Sequence, residues 1–135
     1  MTMPAGKYYV GDLCYVMHDE WDEFCALTIS GSELQEGEFN LKDGRRFAFY
    51  STRWGDGEYA DQYGRRYGVD AGLIGCIRVE DINEKERENL DGGHVVEFTH
   101  EFYVTGGRKD PDWDGVISVG NVYIKTDDDG DYEDY

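Results

Sequence analysis

Cysteine is scarce in this chain, and its spacing argues against disulfide bonds and structural metal sites. The 135 residues include three cysteines, Cys14, Cys25 and Cys76, and no two of them form a Cys-x-x-Cys pair. An odd number of widely separated cysteines fits neither a disulfide framework nor a zinc site. We therefore expect reduced thiols packed in the core, as is typical of proteins from a reducing cytoplasm.

Long apolar runs are also lacking. No stretch approaches the roughly 20 apolar residues of a membrane-spanning helix, and the opening MTMPAGKYYVGD has no run of signal-peptide length. We therefore expect a soluble protein with no membrane partner. Proline is rare as well: two prolines stand against 18 glycines, which indicates many tight turns.

Basic residues are also few compared with acidic ones. Thirteen lysines and arginines face thirty aspartates and glutamates, which gives a formal net charge of −17. The last nine residues, DDDGDYEDY, contribute six of these acids, so the rest of the chain still carries −11. Such a surface repels nucleic-acid phosphates and anionic lipids, and we expect no direct nucleic-acid binding. Cations and basic proteins are the compatible partners.

One helix stands out from a chain dominated by strand-like patterns. Trp21, Phe24, Cys25 and Thr28 have helical spacing, which predicts a helix over residues 19–27. Asp19 is the predicted cap of this helix. Residues 80–93 are polar on nearly every side and predict only a short surface turn or helix.

Strand patterns bounded by glycine and aspartate turns cover most of the remainder. The predicted segments are residues 7–17 (two short strands around Gly11-Asp12), 36–52 (a hairpin around Asp43-Gly44), 58–82, 93–107 and 116–126. Within them, AGLIGCIRV predicts a central strand covered on both faces. We predict a mainly β (α+β) fold: an antiparallel sandwich or partly open barrel with one amphipathic helix packed against it. The domain is expected to span residues 1–126, followed by an acidic tail over residues 127–135.

Two aspartates framed by glycines mark the first candidate site. Asp56 lies in Gly-Asp-Gly, and Asp70 lies in Gly-Val-Asp-Ala-Gly. A hairpin centred on Tyr63 would place the two acids opposite each other, at a cost of roughly 0.2–1 kcal/mol unless a cation or arginine neutralises them. A tip at Gly64-Arg65-Arg66 would separate them.

The functional interpretation of these acids is a small-molecule pocket lined by Arg53, Asp56, Tyr59 and Asp70. Glycines at such a corner would let a ligand approach the backbone closely. The structural interpretation is that Gly-Asp-Gly is only a tight turn, since glycine and aspartate are common turn residues. The hairpin register decides between the two.

A second candidate site resembles the start of a calcium loop. Asp110, Asp112 and Asp114 alternate along the chain and are followed by Gly115, the pattern that supplies oxygen ligands and a sharp turn. Against calcium, the twelfth position is Asn121 rather than a glutamate, and both flanks have strand patterns. The alternative is an acidic hairpin loop. No other metal or cofactor is predicted, and no catalytic motif is present, so no reaction is assigned.

Several of these segments together resemble an uncharacterised family of small phage and bacterial proteins. The shared motifs are YYxGDxCY at residues 8–15, a Trp-to-Cys helix at residues 21–25, GDGxY at residues 55–59 and VDAG at residues 69–72. The resemblance covers most of residues 4–82 and carries no established activity. It implies an origin in a phage or bacterium and a location in the cytoplasm of a bacterial host.

Three functional hypotheses follow. The first is a small acidic binding protein that blocks a basic host protein, as a nucleic-acid mimic or an inhibitor of a host enzyme. The second is a small-molecule binding or hydrolase domain with its site around Asp56 and Asp70. The third is a structural protein with calcium bound at Asp110 to Asp114. The net charge favours the first.

Overall fold

A computed structural model describes residues 2–31, 33–88, 90, 92–107 and 110–126. One α-helix, α1, spans Trp21–Thr28, and short 3₁₀ turns span Leu13–Tyr15, Val79–Asp81 and Glu84–Glu86. The strands in chain order are β1 (Gly6–Gly11), β2 (Ile29–Ser30), β3 (Glu33–Leu34), β4 (Gly37–Asn40), β5 (Arg46–Ser51), β6 (Gly57–Asp61), β7 (Arg66–Val69), β8 (Leu73–Arg78), β9 (His94–Phe98), β10 (Val104–Thr105), β11 (Val116–Val119) and β12 (Val122–Lys125).

The strands form two open antiparallel sheets of five strands each. The first sheet has the order β4-β5-β8-β1-β9, and the second has the order β10-β11-β12-β6-β7. β2 and β3 form a separate two-stranded hairpin. The predicted mainly β sandwich with one packed helix is therefore confirmed, and the sheets do not close into a barrel.

Alternation along the first sheet divides the apolar side chains into two cores. Ala48 on β5 and Cys76 on β8 face the second sheet, whereas Phe47 and Phe49 face α1. β8 has five consecutive buried residues, Leu73 to Ile77, which confirms the predicted central strand covered on both faces. Aromatic side chains fill both cores, since each buries a large apolar area.

The predicted helix exists, but its cap differs from the prediction. α1 begins at Trp21, and the residue before it, Glu20, makes no capping hydrogen bond with its side chain. Asp19 pairs with Lys85 instead, at 2.8 Å. The helix is held by packing: the Trp21 ring stacks on Phe24 at 4.4 Å, and Phe24 stacks on Phe47 at 5.0 Å.

Three strand predictions were wrong in their details. Residues 7–17 form one strand and a 3₁₀ turn, because the Asp12 carboxylate accepts a hydrogen bond from the Cys14 amide and turns the chain. Residues 93–107 are interrupted between β9 and β10. Residues 116–126 form a hairpin, because Gly120 has a φ of 57°, a left-handed conformation that favours a turn.

The remaining expectations concern thiols, membranes and the tail. Cys76 is buried, whereas Cys14 and Cys25 are only partly buried. Among the described residues, no helix has the length and apolarity needed to cross a membrane. The predicted acidic tail, residues 127–135, lies outside the described residues.

Candidate functional site

The β6–β7 hairpin has the register that brings the two framed aspartates together. Gly57 pairs with Val69 and Tyr59 pairs with Tyr67, so the hairpin is centred on Tyr63. Asp56 and Asp70 are the next residues on either side, directly beyond the last pair. Both side chains are exposed. The first of the two predicted registers is therefore the one observed.

The carboxylate of Asp61 fixes this register. One of its oxygens accepts hydrogen bonds from the backbone amides of Tyr63 and Arg65, at 2.9 and 3.0 Å. The other accepts from the Arg65 guanidinium and the Tyr67 hydroxyl, both at 2.7 Å. A buried carboxylate with four donors specifies one tip geometry, because any slip would leave the charge unpaired.

The arginines nearest to Asp56 and Asp70 in the sequence are engaged elsewhere. Arg65 pairs with Asp61, and Arg66 pairs with Glu58 at 2.8 Å. Arg53 donates to the carbonyl of Trp113, and its guanidinium lies 5.5 Å from the centre of the Trp113 ring. The repulsion between the two acids is instead relieved by water, since exposed charges are strongly screened.

Asp70 has a neutral partner, the hydroxyl of Tyr15, which donates to it at 2.6 Å. Burial and this hydrogen bond raise the pKa of Tyr15. The Tyr15 ring packs closely against Gly92, where an added Cβ would stand 2.3 Å from the ring carbon Cδ2. Tyr15 therefore links the 3₁₀ turn after β1 to the corner after β7.

Tyr59 does not take part in a pocket with these acids. Its side chain is 1% exposed and belongs to the core between the sheets. Its hydroxyl donates to the carbonyl of Gly55 at 2.9 Å. The structure thus brings Asp56 and Asp70 to one corner, but it directs Arg53 toward Trp113 and Tyr59 into the core.

Asp12 is the important residue of this corner that the sequence did not reveal. It is fully buried, and its oxygen Oδ2 accepts from the backbone amides of Asp70 and Ala71, at 2.8 and 2.7 Å. Oδ1 accepts from the Cys14 amide at 2.9 Å. Gly11-Asp12 was recognised as a turn, but nothing local indicates that its carboxylate reaches a loop so distant in the chain.

The neighbouring thiol has no nucleophilic character. Burial, followed by the nearby Asp12 carboxylate, raises the pKa of Cys14 to about 12. A thiol is a nucleophile only as the thiolate, so Cys14 stays protonated and unreactive at neutral pH. The corner supplies structure and charge rather than covalent chemistry.

Three loops meet at this end of the sandwich: residues 52–57, 69–72 and 110–115. We call these loops, together with Thr126, the acidic end. The Thr52 amide donates to the Gly72 carbonyl at 3.0 Å. The Arg53 amide donates to Thr126 Oγ1 at 3.1 Å, and that hydroxyl donates to the Gly115 carbonyl at 2.6 Å. These bonds join the loops into one surface.

The charge of the acidic end is strongly one-sided. Its exposed carboxylates are Asp56, Asp70, Asp110, Asp112 and Asp114. The one basic residue within its residue ranges is Arg53. Trp54, two residues before Asp56 in the first of these loops, is 59% exposed. The six acids of residues 127–135 follow Thr126 in the sequence.

The calcium prediction gains no support from the geometry of its loop. Asp110 accepts from the amide of Asp112 at 2.9 Å, and Asp114 accepts from the amide of Val116 at 3.1 Å, so both carboxylates serve as turn caps. The chain then enters β11, which carries Asn121 away to the far end of the strand. Across the described parts of the chain, no three His, Cys, Asp or Glu side chains gather closely enough to hold a metal ion.

Comparisons with protein-family models, curated proteins and solved structures find no match for this chain. Its function is therefore inferred from its own residues.

Proposed function

We propose that this protein binds a basic surface of another protein through its acidic end, as an inhibitor of a host factor would. The observation that supports this proposal is the presence of five exposed carboxylates on three loops that hydrogen bonds join at one end of the sandwich. Such a concentration of one sign of charge steers a basic partner toward this end and orients it there.

Several basic side chains are paired with acids outside the acidic end, so they offset the charge of those regions more than the charge of this end. Arg45 pairs with Glu20 at 2.8 Å, and Lys85 pairs with Asp19 at the same distance. The excess of acid over base is therefore carried mainly by exposed carboxylates, and the acidic end holds five of them.

Trp54 gives the acidic end a point of apolar contact. Tryptophan is enriched among the residues that contribute most to protein interfaces. A lysine or arginine of the partner can also lie over its indole ring and gain cation–π attraction. An acidic surface that also carries an exposed indole therefore suits a basic partner better than a neutral or acidic one.

Binding to purified basic proteins tests this proposal. The probes are bacterial nucleic-acid-binding proteins, each offered with and without competing double-stranded DNA. We expect at least one to bind saturably, to be displaced by DNA, and to lose about tenfold or more in affinity between about 50 and 300 mM salt.

The location of the surface is tested with two variants of equal charge. Asp110→Asn, Asp112→Asn and Asp114→Asn together should weaken binding strongly, and Trp54→Ala should weaken it further. The matched control changes three exposed carboxylates elsewhere, Glu84, Glu88 and Glu97, to glutamine. Equal losses from both triple variants would show that only net charge matters, and absence of binding to every probe would contradict the proposal.

A further inference from the structure

Two arginines lie side by side on the first sheet, where like charges are unfavourable. β5 and β8 pair with Phe47 opposite Ile77, so Arg46 and Arg78, the next residues, are cross-strand neighbours on one face. β1 places Tyr8 next to Arg78 on its other side. Like charges directly opposite each other destabilise a sheet unless a counter-charge is present. Two neighbouring bases are unexpected in a chain of net charge −17.

Among the described residues, Arg46 forms hydrogen bonds with neutral groups and no ion pair with an acid. Its Nη1 donates to the carbonyl of Thr2 at 2.8 Å, and its Nε donates to the side chain of Asn40 at 3.3 Å. Both acceptors are neutral. Arg46 therefore holds the N-terminal segment against the sheet while keeping its full positive charge.

Arg78 is only partly compensated. Its Nη2 donates to the carbonyl of Ala5 at 2.6 Å, and its Nη1 lies 3.2 Å from the carboxylate of Glu80, an exposed side chain. Its Nε is buried and has no hydrogen-bond partner within the described parts of the chain. An exposed ion pair contributes little to stability, so Glu80 holds the Arg78 guanidinium only weakly.

A cleft of about 380 Å³ opens beside these two groups, and we call it the arginine cleft. Its lining includes Tyr8, Arg46, Arg78, Asp81 and Glu101. The volume falls within the range of small-molecule sites, which combine a concave shape with a few converging polar groups. It lies at the end of β5 and β8 opposite the acidic end.

We propose that the arginine cleft binds a small zwitterion of the amino-acid class. The carboxylate of the ligand lies between the guanidiniums of Arg46 and Arg78, because a guanidinium presents parallel donors that match a carboxylate. This anion supplies a counter-charge between the two arginines. The proposal is independent of the acidic end and of a basic partner.

The two acids that line the cleft favour a positively charged group on the ligand. Asp81 and Glu101 line the same cleft and form no salt bridge with the two arginines among the described residues, so an ammonium group of the ligand can lie beside them. Burial, followed by the neighbouring Glu80, raises the pKa of Asp81, and the nearby Arg78 and Arg45 act to lower it. A ligand ammonium beside Asp81 would favour its carboxylate form in the same way. The same two carboxylates repel a doubly charged phosphate, which makes a singly charged carboxylate the better anion.

Titrations of the wild-type protein followed by amide chemical shifts test this inference. The probes are L-alanine, acetate, ethylamine and inorganic phosphate. We expect L-alanine to bind more tightly than acetate or ethylamine, with the largest shifts at Tyr8 and Gly44. Binding of none of the probes, preference for phosphate, or shifts confined to other parts of the chain would overturn it.

Variants separate recognition by the arginines from general charge effects. Arg46→Gln should weaken L-alanine binding by about tenfold, since it removes charged hydrogen bonds to the carboxylate. Arg87→Gln, which removes another carbonyl-binding arginine outside the cleft, should leave binding unchanged. Asp81→Asn should reduce the preference for L-alanine over acetate. Equal effects of Arg46→Gln and Arg87→Gln would contradict the assignment, whether or not the acidic end binds a basic protein.

Discussion

At the scale of single residues, Asp12 joins two parts of the fold that are 58 positions apart in the chain. Its buried carboxylate accepts three backbone hydrogen bonds and so fixes the corner that carries Asp70. Hydrogen bonds to a charged group are the stronger kind, and donors left without an acceptor in a buried place are costly.

We therefore expect Asp12→Ala to lower the free energy of unfolding by about 3 kcal/mol, because three amides lose their acceptor. Urea unfolding followed by tryptophan fluorescence measures this change. Asp112→Ala, which removes an exposed carboxylate from the same end of the molecule, is the control and should alter stability little. Identical unfolding midpoints for the two variants would contradict the role given to Asp12.

The glycines around Tyr15 allow a second test. A Cβ at Gly92 would stand 2.3 Å from the Tyr15 ring, whereas a Cβ at Gly68 would stand 3.5 Å from the Tyr15 hydroxyl, an ordinary contact. Gly92→Ala should destabilise the protein by about 2 kcal/mol through this overlap, and Gly68→Ala should not. Thermal unfolding by circular dichroism distinguishes them, and a melting temperature of Gly92→Ala equal to that of Gly68→Ala would show that the ring moves aside freely.

Buried acidic residues are the ones that could be predicted least well from the sequence. Gly11-Asp12 was recognised as a turn, and Glu86 lay in a segment taken as polar surface, yet both acids are buried. Their burial depends on long-range partners: the amides of Asp70 and Ala71 for Asp12, and His18 for Glu86. A composition-based view assigns such acids to solvent because acids are rarely buried without a partner.

At the scale of elements, the β6–β7 hairpin shows how far local patterns lead. The turn residues correctly predicted a hairpin, and the two possible registers could be written down from the sequence. The choice between them depends on Asp61, whose carboxylate is surrounded by donors only when the strands pair around Tyr63. Longer elements were predicted less well where a glycine or an aspartate bends the chain inside an apolar run.

The hairpin also carries a pH dependence. Burial alone would raise the pKa of Asp61, but hydrogen bonds from Tyr67 and Arg65 outweigh it and hold the pKa below its ordinary value of 3.8. A carboxylate with a lowered pKa stabilises the folded state fully above that ordinary value. This contribution is lost as the pH falls through the folded-state pKa.

We expect Asp61→Asn to be less stable than the wild type at pH 7 and to lose less stability on acidification below about pH 4. Urea midpoints measured from neutral to acidic pH provide the comparison. Glu58→Gln, a change on the same strand in an exposed ion pair, is the matched control. Parallel pH profiles for Asp61→Asn and the wild type would contradict the assignment.

At the scale of the whole molecule, acids outnumber bases by thirty to thirteen. Mutual repulsion among the surplus carboxylates destabilises the compact state, and salt screens it. The class of fold could be predicted from the same sequence, because alternation and turn residues are local signals. The strand order could not, since it depends on which distant strands pair.

The melting temperature should therefore rise as sodium chloride is increased from about 0.01 to 0.3 M, over which the screening length falls from about 30 Å to below 10 Å. The triple variant at Asp110, Asp112 and Asp114 should show a smaller rise, because part of the repulsion is already removed. Thermal unfolding at each salt concentration measures both. A melting temperature that falls with salt would show that internal ion pairs outweigh the surface repulsion.

The position of β1 sets an order of events during synthesis. β1 is made before every other strand, yet it lies between β8 and β9, which are made far later. The local hairpins β4–β5 and β6–β7 can form on the ribosome while Tyr8 and Tyr9, both fully buried in the finished fold, still lack their neighbours. The first sheet can be completed only once residue 98 has left the exit tunnel. The apolar side chains of β1 therefore stay without their neighbouring strands while most of the domain is being synthesised.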